Sequence, residues 1–139
     1  FGRALDAAIE ESGGELHWEE LPVIEGYPLE LRQLFQNLIA NALKFSKPGT
    51  PPVVRVSGTK KRRFWEFRVS DNGIGIPKEQ QQRIFDIFKR LHHRFEYEGT
   101  GIGLANCKKI VEMHNGKIWV DSDEGEGSTF VFTIKQRPI

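Results

Sequence analysis

A chain of 139 residues, 38% of them hydrophobic, has the length of one domain, able to bury about two-thirds of its unfolded surface. A formal net charge of +1 with 28% charged residues gives no support to nucleic-acid binding or to capture of acidic substrates by bulk charge. The single cysteine, Cys107, excludes an internal disulfide and fits a reducing, cytoplasmic setting, and no apolar run approaches the ~20 residues that span a bilayer, so no direct membrane contact is expected.

The chain opens at Phe1-Gly2-Arg3 with neither an initiator methionine nor a signal peptide, which reads as a piece of something longer. Residues 3–12 carry Leu5, Ala8 and Ile9 at helical spacing and stop at Gly13-Gly14, after which Glu15 to Glu20 alternate as a short strand. A second helix starts near Pro28 and runs to about Phe45, with Leu31, Leu34, Phe35, Leu38, Ile39 and Ala42 as its apolar stripe. Val53–Ser57 and Phe64–Ser70 read as two strands joined by the basic turn Gly58 to Arg63, a solvated hairpin tip. Leu104, Cys107, Val111 and His114 mark a third helix closing at Asn115-Gly116. Ile118–Val120 and Thr129–Ile134 complete an antiparallel pair around Gly125-Glu126-Gly127. Trp18, Trp65 and Trp119 fall in strands and read as packing residues, and Cys107 as core. This order predicts an α/β two-layer sandwich: a mixed, largely antiparallel sheet covered on one face by about three helices.

Three segments carry chemistry. Asn37, Asn41 and Lys44 lie within about 60° of one another on a helix turning about 100° per residue, with Gln33 extending the stripe. The plain alternative is a solvated helix face. Against it, asparagine is a middling helix former, so two in mid-helix need a reason. A carbonyl oxygen offered to magnesium, with triphosphate oxygens and waters completing the shell, is such a reason, and Lys44 suits a phosphate. In Asp71-Asn72-Gly73-Ile74-Gly75-Ile76 a carboxylate ends an apolar strand, where burial calls for strong donors such as an adenine amino group. Gly73 and Gly75 let the backbone approach a base and Ile74 and Ile76 give it apolar walls, although an ordinary Asp/Asn/Gly turn has the same composition. Gly99-Thr100-Gly101-Ile102-Gly103-Leu104 opens a helix, where unpaired amides favour a polyphosphate. No Gly-x-x-x-x-Gly-Lys-Ser/Thr occurs, and the spacing departs from the dinucleotide Gly-x-Gly-x-x-Gly.

Asn37 to Phe45, Asp71 to Ile76, Ile84-Phe85-Asp86-Ile87-Phe88-Lys89-Arg90 and Gly99 to Ala105 resemble, in order, the asparagine, glycine, phenylalanine and second glycine boxes of sensor histidine kinases. His114 to Val120 and Gly125 to Phe130 are similar to that family's closing strands, so the resemblance covers nearly the whole chain, and the details around Phe88, Leu91 and Glu98 look most similar to phytochrome-like and other PAS-linked sensor kinases. It implies a single ATP-binding catalytic domain over residues 1–139, lacking the upstream sensor and dimerisation domains, with ATP and Mg2+ as cofactors. It further implies Asn41 as magnesium ligand, Asp71 as adenine partner, and Asn37, Lys44 and Arg90 in catalysis. Nucleotide contacts would come from Asn37, Asn41, Lys44, Asp71, Gly73, Gly75, Ile76, Phe88, Thr100, Gly101, Ile102, Gly103, Leu104 and Thr129. Residues from about Lys89 to Gly99, with Arg90, His92, His93 and Arg94 among them, would form a lid.

Asn37 bears on the reaction. Hydrolytic relatives carry a glutamate there to activate water, and an amide cannot take a proton. The expected activity is therefore transfer of the γ-phosphate to a histidine on a dimerisation domain of the same protein, and onward to a response regulator receiver domain. None of His17, His92, His93 and His114 suits the acceptor role, His114 being accounted for by the dipole at a helix end. An ATP-gated docking module and an ATP hydrolase are the alternatives, the second opposed by Asn37.

Overall fold

The computed structural model describes residues 3–18, 24, 26–81, 83–85, 100–123 and 125–136. Among the described residues three α-helices, α1 (Arg3–Ser12), α2 (Pro28–Lys44) and α3 (Thr100–Met113), accompany five strands: β1 (Glu15–Trp18), β2 (Val53–Lys60), β3 (Phe64–Asp71), β4 (Ile118–Asp123) and β5 (Gly127–Lys135). The strands form one sheet in the order β1-β2-β3-β5-β4, which leaves β1 and β4 on the outside. β1 pairs parallel to β2 and the other pairs are antiparallel, so the sheet is mixed as expected. Among the described residues no helix is long and apolar enough to cross a membrane.

Alternation decides which face of the sheet is covered. Phe67 and Val69 of β3, and Phe130, Phe132 and Ile134 of β5, point one way and are buried. Against them lie Leu34, Leu38, Ile39 and Ala42 of α2 and Leu104, Cys107, Ile110 and Val111 of α3. Aromatic rings weld the two layers together. Phe35 meets Phe67 and Phe132 edge-on at 5.5 and 5.3 Å, while Phe67 and Phe132 stack on each other at 5.3 Å. Proline in the first turn of α2 starts that helix without a lost donor. Gly13, at φ +68°, closes α1.

Several boundaries differ from the sequence reading. β2 continues through Gly58 to Lys60, so the basic turn shrinks to Lys61-Arg62-Arg63, closed by Lys61 N–H donating to Phe64 O at 2.9 Å. Pairing of Gly58 to Lys60 with Phe67 to Trp65 outweighs their weak intrinsic strand preference. β4 and β5 likewise extend to Asp123 and back to Gly127. Glu19 and Glu20 lie outside the described residues. Trp65 packs as expected, stacking on Phe67 at 6.1 Å, while Trp18 and Trp119 are 51% and 41% exposed. Trp119 instead walls a groove of about 360 Å³ on the uncovered face, with Arg63, Phe64, Lys117 and Lys135 around it.

His114 is also a correction. It is buried rather than merely set against a helix dipole: Nε2 accepts from Tyr27 N–H at 3.0 Å and Nδ1 donates to Ile110 O at 2.7 Å, the neutral tautomer that satisfies both partners. The ring thereby ties the entry of α2 to the exit of α3. Beyond it Asn115 takes the left-handed conformation at φ 57°.

Candidate functional site

Asp71 is the last residue of β3, on the inner face with Phe67 and Val69. Its Oδ1 accepts Gly73 N–H at 2.8 Å and Ser128 N–H at 3.3 Å, and among the described residues these are its hydrogen bonds. Burial pushes the carboxyl up from 3.8 to about 6, the two backbone donors offsetting part of the rise. A carboxylate that costs this much to ionise, with both bonds on one oxygen, is suited to a donor from outside the chain.

The loop after Asp71 is held from several sides. Ile74 N–H donates to Phe45 O at 2.9 Å, and Ile74 O accepts Gly125 N–H at 2.7 Å. Ile76 N–H donates to Ser122 Oγ at 2.8 Å. Asn72 faces away from the site, accepting Val53 N–H at 2.8 Å through Oδ1. At Gly73 an added Cβ would overlap Phe45 O and come within 2.9 Å of Asp71 Oδ1, and Gly75 sits at φ +76°. Both glycines are thus required by the backbone path.

Gly127 shows the same constraint from β5. Its φ is +100°, and a Cβ there would overlap the backbone oxygen of Asp71, whereas Gly125, at φ +86°, has open space. Gly125→Ala is therefore expected to cost about 1 kcal/mol and Gly127→Ala at least about 2 kcal/mol. Urea unfolding measures both, and equal losses would contradict the close approach of β5 to Asp71.

The loop meets α2 near Asn41. Phe45, whose carbonyl holds Ile74, donates its own N–H to Asn41 O at 3.1 Å, one helical turn back. The Asn41 side chain is buried, at 6% exposure, and among the described residues its Oδ1 has no hydrogen-bond partner. An orphaned amide oxygen in a protein interior costs about 1–3 kcal/mol, and such sites in folded chains ask for an explanation. Among the described residues no group of three or more His, Cys, Asp or Glu side chains could hold a metal ion, so a cation here would rest on Asn41 and on oxygens brought by a ligand.

Asn37, half-buried one turn earlier, reaches α3. Burial pushes the Cys107 thiol up to about 12, opposed in part by a hydrogen bond from the Asn37 side chain. Cys107 Sγ also lies 3.9 Å from Leu34 O, so the two helices are stitched beside Asn41. Lys44 is exposed in the last turn of α2. Thr100, Gly101, Ile102 and Gly103 form the first turn of α3, with the glycines inside the helix rather than ahead of it, and Leu104 is buried. Phe88, Arg90 and the segment from Lys89 to Gly99 lie outside the described residues.

One expected contact faces the wrong way. Thr129 pairs with Ser70, its Oγ1 3.0 Å from Ser70 Oγ, on the uncovered side of the sheet. Ser128 is the residue opposite Asp71, buried on the same face. Counting outward from the buried pair Phe130 and Phe132 by twos would have selected it. The structure thus gathers Asp71, Gly73, Gly75, Ile76 and Ser128 at one end of the sheet, with Asn41 adjoining through Phe45.

Residues 26–138 match the family described as histidine kinase-, DNA gyrase B-, and HSP90-like ATPase. The chain is 50% identical over 130 residues to phytochrome-like protein Cph1 of Synechocystis sp., covering 94% of this chain and 17% of that protein. It is 45% identical over 117 residues to the adaptive-response sensory kinase SasA of Prochlorococcus marinus, covering 83% and 30%. The chain therefore spans less than a third of the length of these relatives. Among solved structures, the mycobacterial sensor histidine kinase MprB superposes with TM-score 0.78 at 26% identity, covering 97% of this chain and 95% of that one. Full-length ShkA in complex with AMPPNP gives TM-score 0.79 at 26% identity, covering 98% and 29%. With the match running through the α2 asparagines, the Asp71 loop and the closing hairpin, the chain belongs to the histidine kinase-, DNA gyrase B-, and HSP90-like ATPase family.

Proposed function

We propose that this chain is the ATP-binding catalytic domain of a sensor histidine kinase and that it donates the γ-phosphate of ATP to a histidine on a separate dimerisation domain. The observation that carries the reading is the orphaned Asn41 Oδ1, buried beside the loop that Asp71 organises. An amide oxygen without a partner fits magnesium, which accepts one or two protein oxygens and takes the rest from phosphates and water. Bound there, the ion would supply neutralisation of charge on the terminal phosphates. Asp71 accepts the adenine amino group, with Gly73, Gly75 and Ile76 along the base and Ser128 opposite. Lys44, Arg90 and the first turn of α3 from Thr100 to Leu104 serve the phosphates, and Phe88 is a further nucleotide contact.

Asn37 is an amide and is hydrogen-bonded to Cys107, so this position holds no base to activate water. Transfer to an external nucleophile follows, and for this the protein supplies mainly position and charge. Of the histidines described here, His17 is paired with Glu15 at 3.1 Å and His114 is enclosed, which supports an acceptor on another domain of the same protein. A response regulator receiver domain then takes the phosphate, and the supply of ATP sets the compartment as cytoplasmic.

The test is incubation with labelled ATP, with and without the acceptor domain. Label is expected on the acceptor histidine, with little free phosphate from the chain alone. Vigorous phosphate release without acceptor would overturn the reading in favour of a hydrolase.

A further inference from the structure

Among the described residues, four hydrogen bonds hold Ile74 and Ile76 to the rest of the fold. Two of them, from Ile74 N–H to Phe45 O and from Gly125 N–H to Ile74 O, join backbone to backbone. The other two come from side chains that the nucleotide reading leaves unused. Ser122 Oγ accepts Ile76 N–H at 2.8 Å, and Gln81 Nε2 donates to Ile76 O at 3.0 Å and to Ser122 O at 2.9 Å.

Ser122 is buried, and every site on its hydroxyl is used. It donates to Gly127 O at 2.9 Å, and takes Ile76 N–H and the hydroxyl of Ser128, whose Oγ is 2.8 Å away. Ser128 N–H in turn reaches Asp71 Oδ1 at 3.3 Å. An unbroken hydrogen-bonded chain therefore runs from Ile76 through Ser122 and Ser128 to Asp71. It fixes the distance between the two walls that would grip a base: the carboxylate and the isoleucine.

We infer that Ser122, braced by Gln81, is the positioning residue that sets base selectivity at this site. The inference rests on the nucleotide reading above, since the walls it aligns are those assigned to adenine. Discrimination by a carboxylate against a base lacking the amino donor depends on the carboxylate being held while the base cannot shift. Loosening Ile76 from Asp71 lets the base slide, and the penalty for a mismatched edge falls.

Calorimetry with Mg-ATP and Mg-inosine triphosphate tests this, because inosine carries a carbonyl where adenine carries its amino group. Ser122→Ala is expected to lower the ratio of ATP to inosine triphosphate affinity at least tenfold, mainly through weaker ATP binding. Ser122→Cys, which keeps a weak donor and acceptor in place, recovers part of that ratio. Should the alanine variant lose its cooperative unfolding transition, Gln81→Leu decides by the same ratio, with a fall of about threefold expected. A variant that weakens both nucleotides equally, or leaves the ratio unchanged, overturns the assignment and leaves Ser122 a packing residue. Failure of the unaltered chain to bind ATP would be a different result, overturning the nucleotide reading and this inference with it.

Discussion

Replacing Asp71 with asparagine will make the chain more stable at pH 8 while removing its hold on ATP. The folded carboxyl titrates near 6 against 3.8 for the free group, chiefly because burial disfavours its charge. A raised carboxylate pKa means that the fold binds the proton more tightly than the unfolded chain does. The cost is absent below pH 3.8, grows up to about pH 6 and is constant above it. At about 1.36 kcal/mol per pH unit this amounts to about 3 kcal/mol. Asparagine keeps an Oδ1 for Gly73 N–H and Ser128 N–H and carries no charge, so Asp71→Asn should recover much of that amount at pH 8 and almost none at pH 3.5. Urea unfolding at the two pH values measures it, and a variant less stable than the parent at pH 8 would contradict the assigned burial. Binding should move the other way. An amide nitrogen facing the adenine amino group sets donor against donor, and ATP affinity is expected to fall more than about 100-fold.

Asn41→Leu should show the same opposition between stability and binding from the helix side. Leucine is close in volume and removes a buried oxygen that no described residue satisfies, so the ligand-free chain is expected to gain about 1–2 kcal/mol. ATP uptake that depends on magnesium is expected to drop about 100-fold or more. Titrations with and without a chelator separate the cation from the rest of the site: the parent loses affinity on chelation, whereas the variant is already weak and indifferent. A leucine variant binding Mg-ATP like the parent would remove Asn41 from the site.

Much of this was readable in the chain because the strongest signals are periodic or stereochemical. The stripe from Leu34 to Ala42 predicted α2, and Gly73 and Gly75 marked places where the backbone permits no side chain. The strand ends were not readable, since Gly58 to Lys60 join β2 only through their partners on β3. Nor was the parallel pairing of β1 with β2, because strand direction belongs to the tertiary arrangement and leaves no mark on a four-residue segment. The face on which Thr129 lies was hidden for a simpler reason. A hydroxyl on a strand is either inside or outside, and one residue of offset exchanges the two, which put Ser128 where Thr129 was expected. His114 was hidden because its partners, Tyr27 and Ile110, come from the ends of two different helices.

The position of β4 at the rim of the sheet has a consequence for behaviour in concentrated solution. An open strand offers a row of free amides and carbonyls on which a foreign strand can grow. Here, among the described residues, that rim carries the exposed Asp121, with Lys117 just before it, and Trp119 turned to the uncovered face. Any newcomer would have to desolvate those charges along its length, a deterrent that disfavours stacking of copies into fibrils while leaving the rim wet.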